Sequence, residues 1–191
     1  MLSYSQSCLD NHACFRVLLQ AMSRPGTIYN LPGCDAAEPR SDVLRLLDAL
    51  LDPQVSCCLL DTDPLIEEQL QTMSGVRFGP PEDADFLLAL HGGSNGFALR
   101  ARRGRLDYPD QGATILYLVE QLAEGTPASG IKLSGPGIRE FAYPRIVGLV
   151  EQELDQLRQA NADYPLGIDA IFIDRTGQLM CLPRSTRIGV N

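Results

Sequence analysis

The feature of this sequence that most constrains its fold is the alternation of short apolar runs with segments of helical periodicity. Short apolar runs bounded by turn residues are typical of buried strands, whereas apolar residues at i, i+3, i+4 and i+7 mark one face of a helix. The strand candidates are residues 55–60, 86–90, 114–119, 131–133, 169–174 and 178–182. Helices interleaved with such strands predict an α/β fold, a three-layer α/β/α sandwich with an antiparallel edge.

The helix candidates are residues 11–22, 41–51, 63–73, 94–103 and 144–160. Ser41 is a suitable N-cap for the second of them. In the third, Asp63 can cap the helix while Pro64 takes its first position. The first has one apolar face, which is formed by Phe15, Leu18, Leu19 and Met22. Near the C-terminus, the turn sequence Arg-Thr-Gly at 175–177 separates the last two strand candidates and predicts a hairpin.

Length and composition limit the classes of protein that are possible. A chain of 191 residues with 45% hydrophobic content can close one sizeable core, so we interpret residues 1–191 as a single domain. The formal net charge of -8 disfavours nucleic acid as a partner. Residues 1–6 have neither a basic region nor an apolar region of a signal peptide, and no window approaches about 18 uninterrupted apolar residues. We therefore expect a cytoplasmic protein that does not enter the membrane.

Few residues are candidates for metal or covalent chemistry. The six cysteines, in a chain without an export signal, predict reduced thiols, several of them buried. The only histidines are His12 and His91, no C-x-x-C occurs, and Cys57 and Cys58 should point to opposite faces of a strand. We assign no metal site. Because G-x-S-x-G is absent and no local signature supports a Cys-His pair, we assign no catalytic residue.

Two glycine-containing segments could bind an anion, and each has a structural alternative. The turn at residues 91–96 could hold a phosphate at a helix N-terminus, or it could be only a tight connection. In the bend at residues 132–138, Lys132 and the Ser134 hydroxyl could meet an anion beside Gly135 and Gly137. The alternative for this bend is a solvated lysine that flanks a rigid turn.

The basic residues are unevenly distributed. Lys132 is the only lysine, so a mechanism that needs a lysine amine has one candidate. The basic cluster consists of Arg100, Arg102, Arg103 and Arg105. It could bind a phosphorylated ligand or an acidic partner, because the guanidinium group suits phosphate and carboxylate. Alternatively, it is a solvated helix end.

Five segments, in order along the chain, resemble the PhnH family, a subunit of the bacterial carbon-phosphorus lyase system. The most specific is residues 15–26, which is similar to a helix of that family and its Pro-Gly stop. The other four are residues 111–116, 132–138, 164–169 and 182–186. Between about residues 30 and 110 only length and pattern agree, so the turn at 91–96 and the arginine cluster inherit no role from the family.

The resemblance implies a small α/β/α fold that is related to the pyridoxal-phosphate-dependent transferases, reduced in size and without the cofactor. A Schiff base would require Lys132, but family members can carry another basic residue at that position. The resemblance also implies a homodimer in isolation, because family members pair.

The function that the resemblance implies is that of an accessory subunit. With the G, I and J subunits of the core complex, it would take part in the step in which a phosphonate displaces adenine from ATP and gives a ribose 1-phosphonate 5-triphosphate. The nucleosidase chemistry is attributed to the I subunit, so no independent turnover is expected. Two other interpretations stay open: a free-standing pyridoxal-phosphate enzyme that uses Lys132, and a sensor that binds a nucleotide or phosphonate at residues 134–137.

Overall fold

The structure, a computed structural model, describes residues 4–33 and 39–189. In these ranges the α-helices are α1 (Tyr4–Ser23), α2 (Pro39–Asp48), α3 (Pro64–Ser74) and α4 (Glu153–Ala160). The strands are β1 (Tyr29–Asn30), β2 (Ser56–Leu59), β3 (Arg77–Phe78), β4 (Phe86–Ala89), β5 (Arg103–Arg105), β6 (Tyr108–Gly112), β7 (Thr114–Val119), β8 (Gln121–Glu124), β9 (Leu133–Ser134), β10 (Pro144–Val147), β11 (Asp169–Asp174), β12 (Gln178–Leu182) and β13 (Arg187–Ile188).

Seven strands form one mixed sheet in the order β1-β12-β11-β7-β4-β2-β3. Strands β3, β2, β4, β7 and β11 run parallel, with Thr114 of β7 opposite both Phe86 of β4 and Asp169 of β11. The C-terminal hairpin then adds β12 antiparallel to β11, and β1 pairs antiparallel with β12 at the edge. The predicted α/β class, the hairpin and the antiparallel edge are confirmed.

Both faces of this sheet are buried. Successive residues of a strand point to opposite faces, so Leu116 of β7 joins the core under helices α1, α2 and α3, while Tyr117 joins the core under α4. The Tyr117 ring stacks on Phe172 of β11, with a distance of 5.1 Å between ring centroids. Leu122 of β8 and Leu133 of β9 are buried in the same core as Tyr117. The two-stranded sheets β8–β10 and β9–β13 therefore help to cover the α4 face.

The local signals at α3 predicted its ends correctly. The Asp63 carboxylate accepts a hydrogen bond from the Ile66 N–H at 3.2 Å, and Pro64 is the first helical residue. The helix ends at Gly75, which has φ +65. At α2 the predicted N-cap is wrong, because the helix begins at Pro39 and Ser41 lies inside it.

Helix α1 is longer than predicted, since it begins at Tyr4 and ends at Ser23. Its predicted apolar face does not lie wholly against the sheet. Leu18 is buried, but Phe15 is 42% exposed and Leu19 is 52% exposed. The side of α1 that carries Phe15 and Leu19 is therefore left without cover.

Two other helix predictions are only partly right. Of residues 94–103, only Phe97–Leu99 forms a short 3₁₀ helix, and Arg103 already belongs to β5. Residues 144–147 form β10 instead of a helix, because they pair with β8, and α4 begins only at Glu153. Between them Gly148 has φ +83, and a Cβ there would lie 2.5 Å from Cγ of Glu120. The chain turns at this glycine. The apolar residues that are spaced like one helix therefore belong partly to β10 and partly to α4.

The cysteines with described side chains are free thiols, as predicted. Cys14, Cys57 and Cys181 are buried and Cys58 is partly buried. Cys57 belongs to the core under α1, α2 and α3, whereas Cys58 packs on the opposite core. Cys8 and Cys34 lie outside the described side chains. In the described part of the chain, no helix combines the length and the apolar character that a membrane crossing requires.

Candidate functional site

A cavity of about 650 Å³ lies near the amino-terminal ends of β7 and β11. Three segments form it: the bend after β9, the end of α4 with the loop that follows, and residues 184–188, which follow β12 and include β13. The lining consists of Gly135, Pro136, Arg158, Asn161, Ala162, Tyr164, Arg184, Ser185, Thr186, Arg187 and Ile188. This is the candidate site.

The bend forms one wall because its glycines allow close backbone contacts. Gly135 has φ +134, and a Cβ there would lie 2.9 Å from the carbonyl oxygen of Ser185. Gly137 has φ +82, and a Cβ there would lie 2.2 Å from the carbonyl oxygen of Ser23 at the end of α1. Residues with a side chain rarely adopt such φ values. The pairing of Ser134 with Arg187 fixes the bend against β13.

Arg184 holds the floor of the cavity together. Its guanidinium pairs with the Asp169 carboxylate at 2.5 Å and donates to the carbonyl oxygens of Pro109 and Gly112. The Arg184 backbone N–H also donates to Asp169 at 2.7 Å. Since most of its donors are already bonded and the side chain is only 14% exposed, Arg184 joins the start of β11 to the end of β6. Its role is structural.

Asn161 fixes the loop after α4. Its side-chain oxygen accepts from the Ile168 N–H at 2.7 Å, and its amide donates to the Ile168 carbonyl at 3.1 Å. The loop that these bonds close carries Ala162 and Tyr164 into the lining, and Tyr164 is 67% exposed.

The polar groups of the lining favour an anion. Among the residues that the structure describes, it contains three arginines and no acidic residue, in a chain of net charge -8. Arg158 forms one surface ion pair, with Asp155 at 2.9 Å, and Arg187 forms none within the described part of the chain. Thr186 is only 6% exposed, and its Oγ1 has no hydrogen-bond partner among the described residues.

The structure brings only part of the predicted site to this cavity. Gly135 lines it, whereas Lys132, Ser134 and Gly137 do not. The Lys132 side chain is exposed, and its Nζ lies 4.1 Å from the centroid of the Phe141 ring. This is the geometry of a cation–π contact. The group of Lys132, Ser134, Gly135 and Gly137 stays a prediction.

The glycine-rich turn at residues 91–96 is a packing element. Gly92 has φ +71, and a Cβ there would lie 1.9 Å from the carbonyl oxygen of Gly148. The Glu153 carboxylate is 1% exposed and accepts from the Ser94 N–H at 2.8 Å, the Ser94 Oγ at 3.0 Å and the Tyr117 hydroxyl at 2.8 Å. Burial, together with the Glu153 carboxylate, holds the pKa of Tyr117 well above its usual range. The Ser94 N–H therefore already donates to Glu153 and is not available to bind a phosphate.

The predicted arginine cluster is largely paired with carboxylates. The ion pairs are Arg100 with Glu82, Arg102 with Asp85, and Arg103 with Asp163. Burial alone would raise the pKa of Asp85, but hydrogen bonds from the Ser56 hydroxyl, the Ser56 N–H and Arg102 outweigh it, so the pKa is lowered. These arginines join loops and are not gathered around one cavity.

The residues that sequence reasoning missed are Arg158, Asn161, Thr186 and Arg187. They lie far from the bend in sequence, and no motif joins them to it. The five segments singled out in the sequence do meet near the cavity, but of these four residues only Thr186 belongs to one of them. Ser23 contacts the bend, Gly112 and Asp169 bond to Arg184, and residues 182–186 supply part of the lining.

Comparison with known proteins gives a consistent result. A sequence model of the family described as "Bacterial phosphonate metabolism protein (PhnH)" matches residues 3–189. A relative from Stutzerimonas stutzeri, named "Putative C-P lyase subunit protein HtxG", is 33% identical over 176 residues, which are 92% of this chain and 84% of the relative. A relative from Rhizobium meliloti (strain 1021), named "Alpha-D-ribose 1-methylphosphonate 5-triphosphate synthase subunit PhnH", is 28% identical over 200 aligned positions, covering 97% of this chain and 94% of the relative.

Proposed function

Because the chain belongs to the PhnH family of bacterial phosphonate metabolism proteins, we propose that it is an accessory subunit of the carbon-phosphorus lyase core complex. With the G, I and J subunits it supports the formation of a ribose 1-phosphonate 5-triphosphate from ATP and a phosphonate. The observation that carries this proposal is the match to the family over residues 3–189. The names of both relatives describe subunits, which favours a role inside a complex.

The surroundings of Lys132 favour an accessory role over a free-standing pyridoxal-phosphate enzyme. A Schiff base needs this amine, because the chain has no other lysine. Its Nζ lies over the Phe141 ring on the surface and does not face the cavity described above. We therefore propose that the chain has no turnover of its own and needs no cofactor. A Schiff-base absorbance that is lost in Lys132→Ala would contradict this.

The remaining features of the proposal concern the chain as a whole. It is a single cytoplasmic domain, with a fold related to a reduced pyridoxal-phosphate-dependent transferase. In isolation it is a homodimer, which is supported by the exposed apolar side chains of Phe15 and Leu19 on α1.

The test is co-expression of the tagged chain with the G, I and J subunits of the same organism. We expect the four proteins to purify together, and we expect the complex to convert ATP and methylphosphonate to the ribose phosphonate triphosphate, detected by mass spectrometry. Omitting this chain should reduce product formation. If the three other subunits purify without it and make the same amount of product, the accessory role is wrong.

A further inference from the structure

We propose that the cavity between the bend at 134–137 and the segment 184–188 binds a small organic phosphate or phosphonate, with its anionic group at Arg158 and Arg187. This goes beyond the accessory role, because a subunit can assemble with its partners without binding a ligand. The anion site rests on the charge, the burial and the size of the cavity, and the choice of a phosphate or phosphonate among anions rests on the proposed function.

The positive charge of the cavity lining favours an anionic ligand. Carboxylates outnumber basic groups in the chain by 24 to 16, yet the described residues that line the cavity include three arginines and no carboxylate. Arg184 is committed to Asp169 and to backbone carbonyls, so Arg158 and Arg187 are the guanidinium groups that can turn to a ligand. The pair of Arg158 with Asp155 is a surface pair, and such pairs exchange readily for a stronger acceptor. A phosphate or phosphonate dianion matches the planar fork of arginine.

Thr186 provides the second, independent observation. Its side chain is 94% buried, as its exposure of 6% shows, and its hydroxyl lacks a partner within the described ranges. Buried hydroxyls are nearly always hydrogen-bonded, because desolvation without a partner costs free energy. Thr186 lines the cavity between Ser185 and Arg187. An oxygen of a bound ligand would supply the missing partner.

The size of the cavity indicates that the ligand carries an organic group. About 650 Å³ is far more than a single phosphate fills, and it lies within the range of roughly 300–1,000 Å³ that small-molecule sites occupy. Pro136, Ala162 and Ile188 supply apolar surface beside the arginines, and Tyr164 adds an exposed ring. Together they suit a ligand with a charged end and an apolar or aromatic end.

The experiment uses the purified full chain and three probes: inorganic phosphate, methylphosphonate and adenosine 5′-monophosphate. Binding is measured by titration calorimetry in the wild type and in the variants R158Q, R187Q, T186V and R175Q. Arg175 is the matched control, because it is an exposed arginine at the opposite end of β11, about 20 Å from Asp169. Melting temperatures report whether each variant folds.

We expect at least one organic probe to bind more tightly than inorganic phosphate, and the preferred probe distinguishes a phosphate ester from a phosphonate. R158Q and R187Q should each weaken that binding by roughly tenfold, since each removes a charge-assisted hydrogen bond. T186V should weaken binding without lowering the melting temperature, because the Thr186 hydroxyl has no partner in residues 4–33 and 39–189 of the free protein. R175Q should bind like the wild type.

The proposal is overturned if no probe binds at millimolar concentration, or if R158Q and R187Q bind as tightly as R175Q. Its failure is distinct from failure of the accessory role. A folded R187Q chain that loses the ligand should still purify with the G, I and J subunits. A chain that binds the ligand but never associates with those subunits would contradict only the accessory role.

Discussion

At the scale of single residues, the bend at 134–137 depends on its glycines and not on its polar side chain. Gly137 combines φ +82 with a backbone oxygen 2.2 Å from the place of a Cβ, and Gly135 has the milder contact of 2.9 Å. We expect Gly137→Ala to lower the free energy of unfolding by about 1–3 kcal/mol and Gly135→Ala by less. Ser134→Ala, the control, should change it by less than about 0.5 kcal/mol. Urea denaturation measures all three, and equal effects would contradict the assignment.

The carboxyl group of Asp85 makes stability depend on pH. Since its folded-state pKa is lowered, the charged form stabilises the fold above the unfolded pKa, and this contribution is lost as the pH falls through the folded pKa. We expect Asp85→Asn to be less stable than the wild type at pH 7, with the difference shrinking below about pH 4. Chemical denaturation at several pH values measures the difference. A difference that is constant from pH 7 to pH 3 would contradict the shift.

The buried thiols should be unreactive in the folded protein. Burial raises the pKa of the Cys57 thiol to about 12, so almost none of it is thiolate at neutral pH, and Cys14 and Cys181 have no exposed surface. We expect iodoacetamide to leave these three unmodified in the native chain and to modify all of them in urea. Peptide mass mapping distinguishes the sites. Rapid native labelling of Cys57 would mean that β2 opens easily.

At the scale of elements, Glu153 ties α4 to the turn after β4 and to β7. Its carboxylate is buried, forms no ion pair with a described residue, and accepts hydrogen bonds from Ser94 and Tyr117. Tyr117→Phe removes one donor and leaves a buried oxygen unsatisfied, so we expect it to cost about 1–3 kcal/mol. Tyr143→Phe, at a half-buried position, is the control and should cost much less. Equal losses of unfolding free energy would show that the hydroxyl of Tyr117 contributes little.

Elements were predictable where the signal is local. The Asp63 cap, the Pro-Gly stop after α1 and the turn at 175–177 all act within a few residues, and the structure confirms them. The helix prediction over 144–160 is correct for Glu153–Ala160 but wrong at 144–147, because Ile146 and Val147 suit either a helix or a strand. These residues form a strand because they pair with β8, which lies about 25 residues earlier in the chain.

At the scale of the whole molecule, the assembly state is testable directly. We expect light scattering of the purified chain to give a mass near twice 20.9 kDa at micromolar concentration. The physical reason is the uncovered apolar surface of α1, which burial in a dimer would remove from water. A monomer at that concentration would contradict the homodimer.

The candidate site was only partly predictable, because the residues that form it lie far apart along the chain. The bend could be singled out, because Gly-Pro-Gly is a local signal. Arg158 and Arg187 become neighbours only when α4 and β13 are in place. Only in the folded chain is the Thr186 hydroxyl buried without a hydrogen-bond partner from the described residues. Neither spacing nor composition indicates such a meeting. The turn at 91–96 is the opposite case. Its glycines suggest an anion site in the sequence, but in the structure Gly92 packs against the backbone of Gly148.

The position of β1 has a consequence for how the chain is made. Tyr29 and Asn30 pair with β12, the Gly26 N–H donates to the Cys181 carbonyl, and α1 packs in the same core as Leu179. About 150 residues separate these partners, so at roughly 5–20 residues per second the first helix waits on the ribosome for about 8–30 s before its partner strand is synthesised. During that interval α1 can pack against α2, because Asn11 bonds to Asp48, but its contact with β12 cannot form. The edge pair of β1 and β12 therefore forms only after β2, β4, β7 and β11 have been synthesised.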